Sequence, residues 1–227
     1  MSESAASVLE IESEARLSGR AGARTLVIAC GALAREIVLL QRGPLAHFDV
    51  TCLPAKLHNR PERIAGAVRR KIAESRAGYE TIVCLYGDCG TGGALDRVLA
   101  EEGVTRIEGA HCYEFFAGAT DFSEMMAQEP GSFFLTDFLV RHFDRLVIGG
   151  LGLDRFPQLR DDYFRHYRRL VHLAQCEDAE LTAKAQGAAE RLGLAFERRF
   201  TGLGRIETFL ARPDRTAAAQ PGPPWPA

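Results

Sequence analysis

The sequence predicts an α/β protein with a predominantly parallel, layered sheet and helices on both faces, in a Rossmann-like, three-layer arrangement. Three observations lead there. Short β-branched apolar runs alternate with helical patterns along most of the chain. The first run, TLVIAC (25–30), is almost continuously apolar, as a strand buried on both faces must be. Enough chain separates successive runs for the crossover helices that parallel strands require.

Residues 1–23 mix small, polar and charged side chains and are expected to form a mobile arm or a short outer helix. After the strand at 25–30, GALAREIVLL places Leu33, Ile37 and Leu40 on one helical face. DVTCLPA (49–55) reads as the second strand. In RPERIAGAVRRKIAES (60–75), Pro61 falls near the first turn, where a missing N–H is harmless, and Ile64, Val68 and Ile72 share a face. TIVCLYG (81–87) is the third strand, GALDRVLAEEG (93–103) a helix ended by Gly103, and TRIEG (105–109) a short fourth strand. A helical stretch from Tyr113 to Gln128 is interrupted near Gly118. FFLTDF (133–138) and RLVIGG (145–150) have strand-like content, although HFDRLV suits a helix equally well. RRLVHLAQ (168–175) is a strand, AELTAKAQGAAERLG (179–193) a helix, and LAFERRF (194–200) a strand, with IETFLA (206–211) following. The segment 212–227 holds five of the ten prolines and reads as a disordered tail. The expected organisation is an arm (1–23), a single α/β domain (24–211) and a Pro-rich tail (212–227).

Composition removes whole function classes. The 227 residues are 46% hydrophobic and 26% charged, as in ordinary globular proteins. A formal net charge of −2 argues against nucleic-acid binding by bulk positive charge. No apolar run reaches the ~18–20 residues of a membrane span, and the acidic N-terminal stretch offers no signal peptide. A cytoplasmic protein is expected, with a homodimer as the default assembly. Its six cysteines then point to metal binding or thiol chemistry rather than disulfides.

Chemistry-bearing residues gather at the strand ends. Cys30 closes the first strand and is followed by Gly31; His58 follows the second, Cys89 the third, and His111 with Cys112 the fourth. Parallel sheets bind ligands outside those ends, where loops converge and helix N-termini point. YGDCGTGG (86–93) is the most specific local signal. Gly87, Gly90 and Gly92 let its backbone approach a ligand closely, and Cys89 lies near a helix N-terminus that favours the thiolate. The loop matches neither the phosphate loop nor the dinucleotide GxGxxG pattern, so nucleotide binding is not indicated. Cys52 and Cys84 lie inside strands and read as core. Cys176 follows a late strand and is ambiguous between a structural and a functional role, while His47, His142, His166 and His172 have no spacing logic and read as structural or surface residues.

Cys30, His58, Cys89 and Cys112 make a Cys₃His donor set for a divalent transition metal, zinc by default, with His111 as a competing ligand or base. No CxxC pair is present, so the fold itself must bring the donors together. Two alternatives stay open. Cys89 could be a metal-free nucleophile activated by His58 or His111, with Gly90, Thr91 and Gly92 N–H groups stabilising an oxyanion. A non-catalytic metal or cofactor carrier is the other. Arg60 and Arg63 are candidates for holding an anionic substrate, Tyr86 and Asp88 for acid or base roles, and Glu114 for a first-turn dipole partner. The substrate is expected to be a small molecule.

The segments ACGALAREI, LPAKLHNRPERI, YGDCG and HCYEFFAGATDF…EPGSFFLT, in this order, resemble a bacterial and archaeal family catalogued as domain of unknown function 1638. The resemblance runs from about Thr25 to Ala211. Its elements fall on Cys30 with Gly31, on Leu57, His58 and Asn59, on Tyr86, Gly87, Cys89 and Gly90, and on Cys112. His111 stands where the family pattern has an acidic residue, which leaves the ligand set open there. The resemblance implies a shared site on these residues and an association with corrinoid-dependent methyl-transfer systems, hence a methyltransferase-system partner. The DxHxxG pattern of a base-off cobalamin module is absent from this chain.

Overall fold

The computed structural model describes residues 14–18, 25–41 and 47–211. The tail 212–227, expected to be disordered, and most of the 1–23 arm, expected to be mobile or a short outer helix, lie outside the described residues; within the arm, Ala15–Leu17 is a strand. The described residues divide into two compact units: those up to Phe115 together with Arg205–Ala211, and Phe116–Gly204. Both are α/β, and the larger sheet is mostly parallel while the smaller is wholly so.

In the first unit, β1 (Ala15–Leu17), β2 (Thr25–Cys30), β3 (Phe48–Leu53), β4 (Thr81–Leu85) and β5 (Thr105–Arg106) form a sheet of order β1-β3-β2-β4-β5. Only β1 is antiparallel, running along β3. Leu26, Val27, Ile28, Val83 and Leu85 are fully buried, which is why these strands lack a polar alternation. A 3₁₀ turn (Gly31–Leu33) leads into α1 (Ala34–Gln41), and α2 (Ile64–Ser75) buries Ile64, Val68 and Ile72 as one stripe. Such burial stabilises by roughly 1.5–3 kcal/mol per large side chain. In α3 (Ala94–Glu102), Leu95, Val98 and Leu99 are buried, and Gly103 at φ 62° ends the helix while Val104 N–H donates to the Leu99 carbonyl.

The expected strand at 105–109 is only two residues long for a visible reason. The buried Arg106 guanidinium pairs with Asp96 (2.5 and 3.1 Å) and donates to the carbonyls of Ile107 (2.8 Å) and Gly109 (3.0 Å), turning the chain out of the sheet. That clamp delivers residues 110–112 to the start of α4 (Cys112–Ala117).

The second unit holds α5 (Ala119–Gln128), separated from α4 by Gly118 at φ 83°. Its parallel sheet β6-β7-β8 comprises β6 (Ser132–Thr136), β7 (Arg169–Ala174) and β8 (Ala195–Phe200). Because β6 pairs directly with β7, the intervening chain is helical: α6 (Asp137–Arg141), a π-helix (Asp144–Gly149) and α7 (Leu159–Phe164). Of the two readings open for this stretch, strand-like RLVIGG and helical HFDRLV, the structure takes the helical one. Val147 is its one buried residue, and a Cβ at Gly150 would run into the Leu146 carbonyl, so the wide π turn needs glycine there. α8 (Ala179–Leu192) is capped by Asp178, which accepts from Leu181 N–H at 3.0 Å, and it buries Leu181, Ala185, Ala188, Ala189 and Leu192. The last element, α9 (Arg205–Ala211), belongs to the first unit.

Candidate functional site

In the first unit β3 lies on one side of β2 and β4 on the other. Consecutive connections thus leave β2 and β3 in opposite directions across the sheet, which makes the gap beyond β2 and β4 a topological switch point. Cys30 ends β2 there, and Tyr86 follows β4. The last ladder pair is Ala29 with Leu85, so Cys30 and Tyr86 continue the same register side by side.

Cys30 is buried, and its sulfur accepts from the Ala32 N–H at 3.3 Å, capping the 3₁₀ turn. Burial pushes its thiol up to about 12, against the pull of the Ala32 N–H and the Tyr86 hydroxyl. His58 Nδ1 lies 3.8 Å from that sulfur and 3.0 Å from the Ala55 carbonyl. Nδ1–H therefore donates to Ala55, and Nε2 keeps its lone pair. Burial lowers the His58 pKa, but a hydrogen bond and negative charge from Cys89 and the Ala55 carbonyl outweigh it, so the net shift is upward.

The loop carrying Cys89 is organised by Asp88. Its carboxylate accepts from Thr91 Oγ1 (2.6 Å), Gly93 N–H (2.8 Å) and Gly92 N–H (3.2 Å), while its carbonyl accepts from Thr91 N–H (3.0 Å). Burial raises the Asp88 pKa, yet these donors and Arg106 leave it below the usual value. Within this loop Cys89 has φ 49°, and it is the one non-glycine residue with positive φ among the described residues. An L-residue in that conformation carries a steric penalty that glycine escapes.

Gly87 explains how the last junction meets this loop. A Cβ there would sit 3.1 Å from Ala110 O and from the N and Cα of His111, so a larger residue would push the 110–111 backbone away by a few tenths of an ångström. Cys89 N–H donates to the Ala110 carbonyl at 2.9 Å, fastening the two loops. His111 Nδ1 lies 3.3 Å from the Cys112 sulfur and accepts from Tyr113 N–H at 3.4 Å. Burial and the nearby His58 lower the His111 pKa to about 3. The rings of His58 and His111 are 6.5 Å apart. Burial, followed by the charges of Cys89 and Cys30, raises Cys112 well above its ordinary value.

All five strand-end donors thus share one neighbourhood. Two further residues belong to it. Glu36, buried in the first turn of α1, adds negative charge that raises both Cys30 and Cys112. Nothing in the local sequence of α1 signals that role. Tyr86 is 1% exposed and its ring stacks on His58 at 6.2 Å. Cys52 and Cys84 are buried within β3 and β4, while Arg60 and Arg63 are exposed. Glu114 Oε1 accepts from Ala110 N–H at 3.1 Å and so braces the same turn. Among the described residues, no group of three or more Cys, His, Asp or Glu side chains is placed to hold a metal ion.

A model of the family described as Protein of unknown function (DUF1638) matches residues 52–210. The chain belongs to this family. The matched DUF1638 span contains His58, Cys89, His111 and Cys112 and begins after Cys30. Neither a curated protein nor a solved structure matches the chain.

The second unit holds a separate polar network that the sequence reading passes over. Asp137 accepts from His172 (2.8 Å) and from the backbone (3.1 Å) and thiol (3.0 Å) of Cys176. Burial raises the Asp137 pKa, but those donors and Arg141 hold it below the carboxylate range. It ties the ends of β6 and β7 together. A cleft of about 440 Å³ in the same unit is lined by Asp121, Glu124, Arg199 and Phe200 among others.

Proposed function

We propose that the first unit carries a divalent-metal site, zinc by its donor chemistry, with Cys30, His58, Cys89 and Cys112 as ligands, and that a small molecule is bound or transformed there. The observation that carries this reading is the convergence of three thiols and two imidazoles from four strand-end loops at the switch point. Soft sulfur with imidazole nitrogen is the donor set that zinc takes. The donors are neighbours rather than a closed cage, and metal binding would draw them in. His58 is the better nitrogen ligand. Its Nδ1–H is anchored on the Ala55 carbonyl, as the second nitrogen of a metal-bound histidine usually is. His111, whose Nδ1 accepts from Tyr113 N–H, remains beside Cys112 as a neutral base. A bound zinc ion supplies Lewis acidity and holds thiolates deprotonated at neutral pH. The sheet order of the first unit suits a Rossmann-like layering, and six free thiols suit a reducing cytoplasm. The experiment is elemental analysis of untagged protein purified without oxygen. Near one metal per chain is expected, with loss in Cys89→Ser and His58→Ala, whereas a metal-free wild type overturns the reading.

A second reading is favoured by one observation. Cys89 is half-buried, sits in a strained backbone conformation and bonds His58, which are features of an activated nucleophile. Against it, two of the three N–H groups it needs for an oxyanion, those of Thr91 and Gly92, are already spent on Asp88. Rapid single-site alkylation of Cys89 in metal-free wild type would favour it.

A further inference from the structure

Tyr86 stands out among the polar groups of the first unit. The residue is 1% exposed, and its hydroxyl oxygen is buried with no hydrogen bond of normal geometry. Its place is fixed from two sides: the β2–β4 register sets it beside Cys30, and its ring lies nearly parallel to that of His58, at 14°. Burying a phenol without a partner is unfavourable, and a phenylalanine of the same shape would avoid the cost. The sulfur beside it explains why a hydroxyl is there. A protonated thiol is a weak acceptor, whereas a thiolate is a strong one and draws short, charge-assisted hydrogen bonds.

Resting on the metal reading above, we infer that Tyr86 is the positioning donor of the site: its O–H hydrogen-bonds the Cys30 sulfur once that sulfur is a metal-bound thiolate. The Cys30 proton leaves to solvent on metal binding, and Tyr86 keeps its own. The hydroxyl then orients the Cys30 sulfur and lowers its charge, as hydrogen bonds to ligating atoms do at other metal sites.

The test compares full-length wild type with Tyr86→Phe, both metal-free, titrated anaerobically with cobalt(II) as an optical probe. Loss of the hydroxyl should weaken cobalt binding about 10-fold or more. It should also shift the thiolate-to-cobalt charge-transfer band to lower energy, because the sulfur lone pair is no longer stabilised. Thermal unfolding of metal-free Tyr86→Phe should match or exceed wild type, since an unpartnered polar atom has been removed. Weaker metal binding without loss of fold is the signature of a positioning residue. An unchanged affinity and an unmoved band in Tyr86→Phe, with cobalt bound normally by wild type, overturn the inference alone. A wild type that gives no thiolate–cobalt bands overturns the metal reading, and the inference with it.

Discussion

The left-handed backbone at Cys89 gives a prediction whose size can be worked from the structure. An L-residue near φ 49° carries a steric penalty of about 1–2 kcal/mol, which glycine escapes. Glycine gives back about 0.5–1 kcal/mol through the greater freedom of the unfolded chain. Cys89→Ala and Cys89→Gly both remove the thiol and its contact with His58, so their difference isolates the backbone. Cys89→Gly should therefore be the more stable of the two by up to about 1.5 kcal/mol. In a chain of this size each kcal/mol corresponds to roughly 2–4 °C in Tm. Thermal and urea unfolding of metal-free protein measure it, with equal m-values confirming that the native state is compared. Both variants should lose metal, so the stabler one is no more functional. Cys89→Ala as stable as Cys89→Gly, or more stable, would refute the argument that the loop holds Cys89 under strain.

Gly87→Ala should cost about 1–3 kcal/mol and weaken cobalt binding, because its Cβ meets three backbone atoms of residues 110 and 111 that cannot rotate away. Gly187→Ala in α8, where a Cβ meets nothing within 4 Å, should stabilise by about 0.5–1 kcal/mol in the same melt. Arg106→Met should lower urea-derived stability by about 3 kcal/mol, since Asp96 and two carbonyls lose their buried partner. The pH dependence of metal-free protein follows from His111. Its folded pKa, about 3, lies below the unfolded value, so the unfolded chain binds the extra proton as pH falls. Stability should fall below about pH 6.5 with a slope of at most one proton, about 1.4 kcal/mol per pH unit, and His111→Gln should flatten it.

Where the sequence carried a strong local pattern, the structure repeats it. TLVIAC is β2 from end to end, the Ile64–Val68–Ile72 stripe is the buried face of α2, and Gly118 breaks the helical stretch. Weak or tertiary signals are not legible in the sequence. Three residues are too few for β1 to declare an alternation, and RLVIGG has strand composition but no strand left to pair with. The shortening of β5 depends on where the Arg106 side chain reaches, which no periodicity encodes. Strand-end placement was enough to single out Cys30, His58, Cys89, His111 and Cys112. Glu36 was invisible because a glutamate in a first helical turn looks like an ordinary dipole partner until the fold buries it beside two thiols. The Asp137–His172 bond joins residues 35 apart in sequence, and only the pairing of β6 with β7 brings them together.

The central claim is the identity of the ligands, and X-ray absorption at the metal edge of the zinc-loaded protein tests it most directly. A four-coordinate shell of three sulfurs near 2.3 Å and one nitrogen near 2.0–2.1 Å is expected, values typical of zinc bound by Cys and His. Cys112→Ser should remove one sulfur from that shell. A shell of oxygen and nitrogen without sulfur, or one unchanged by Cys112→Ser, would contradict it.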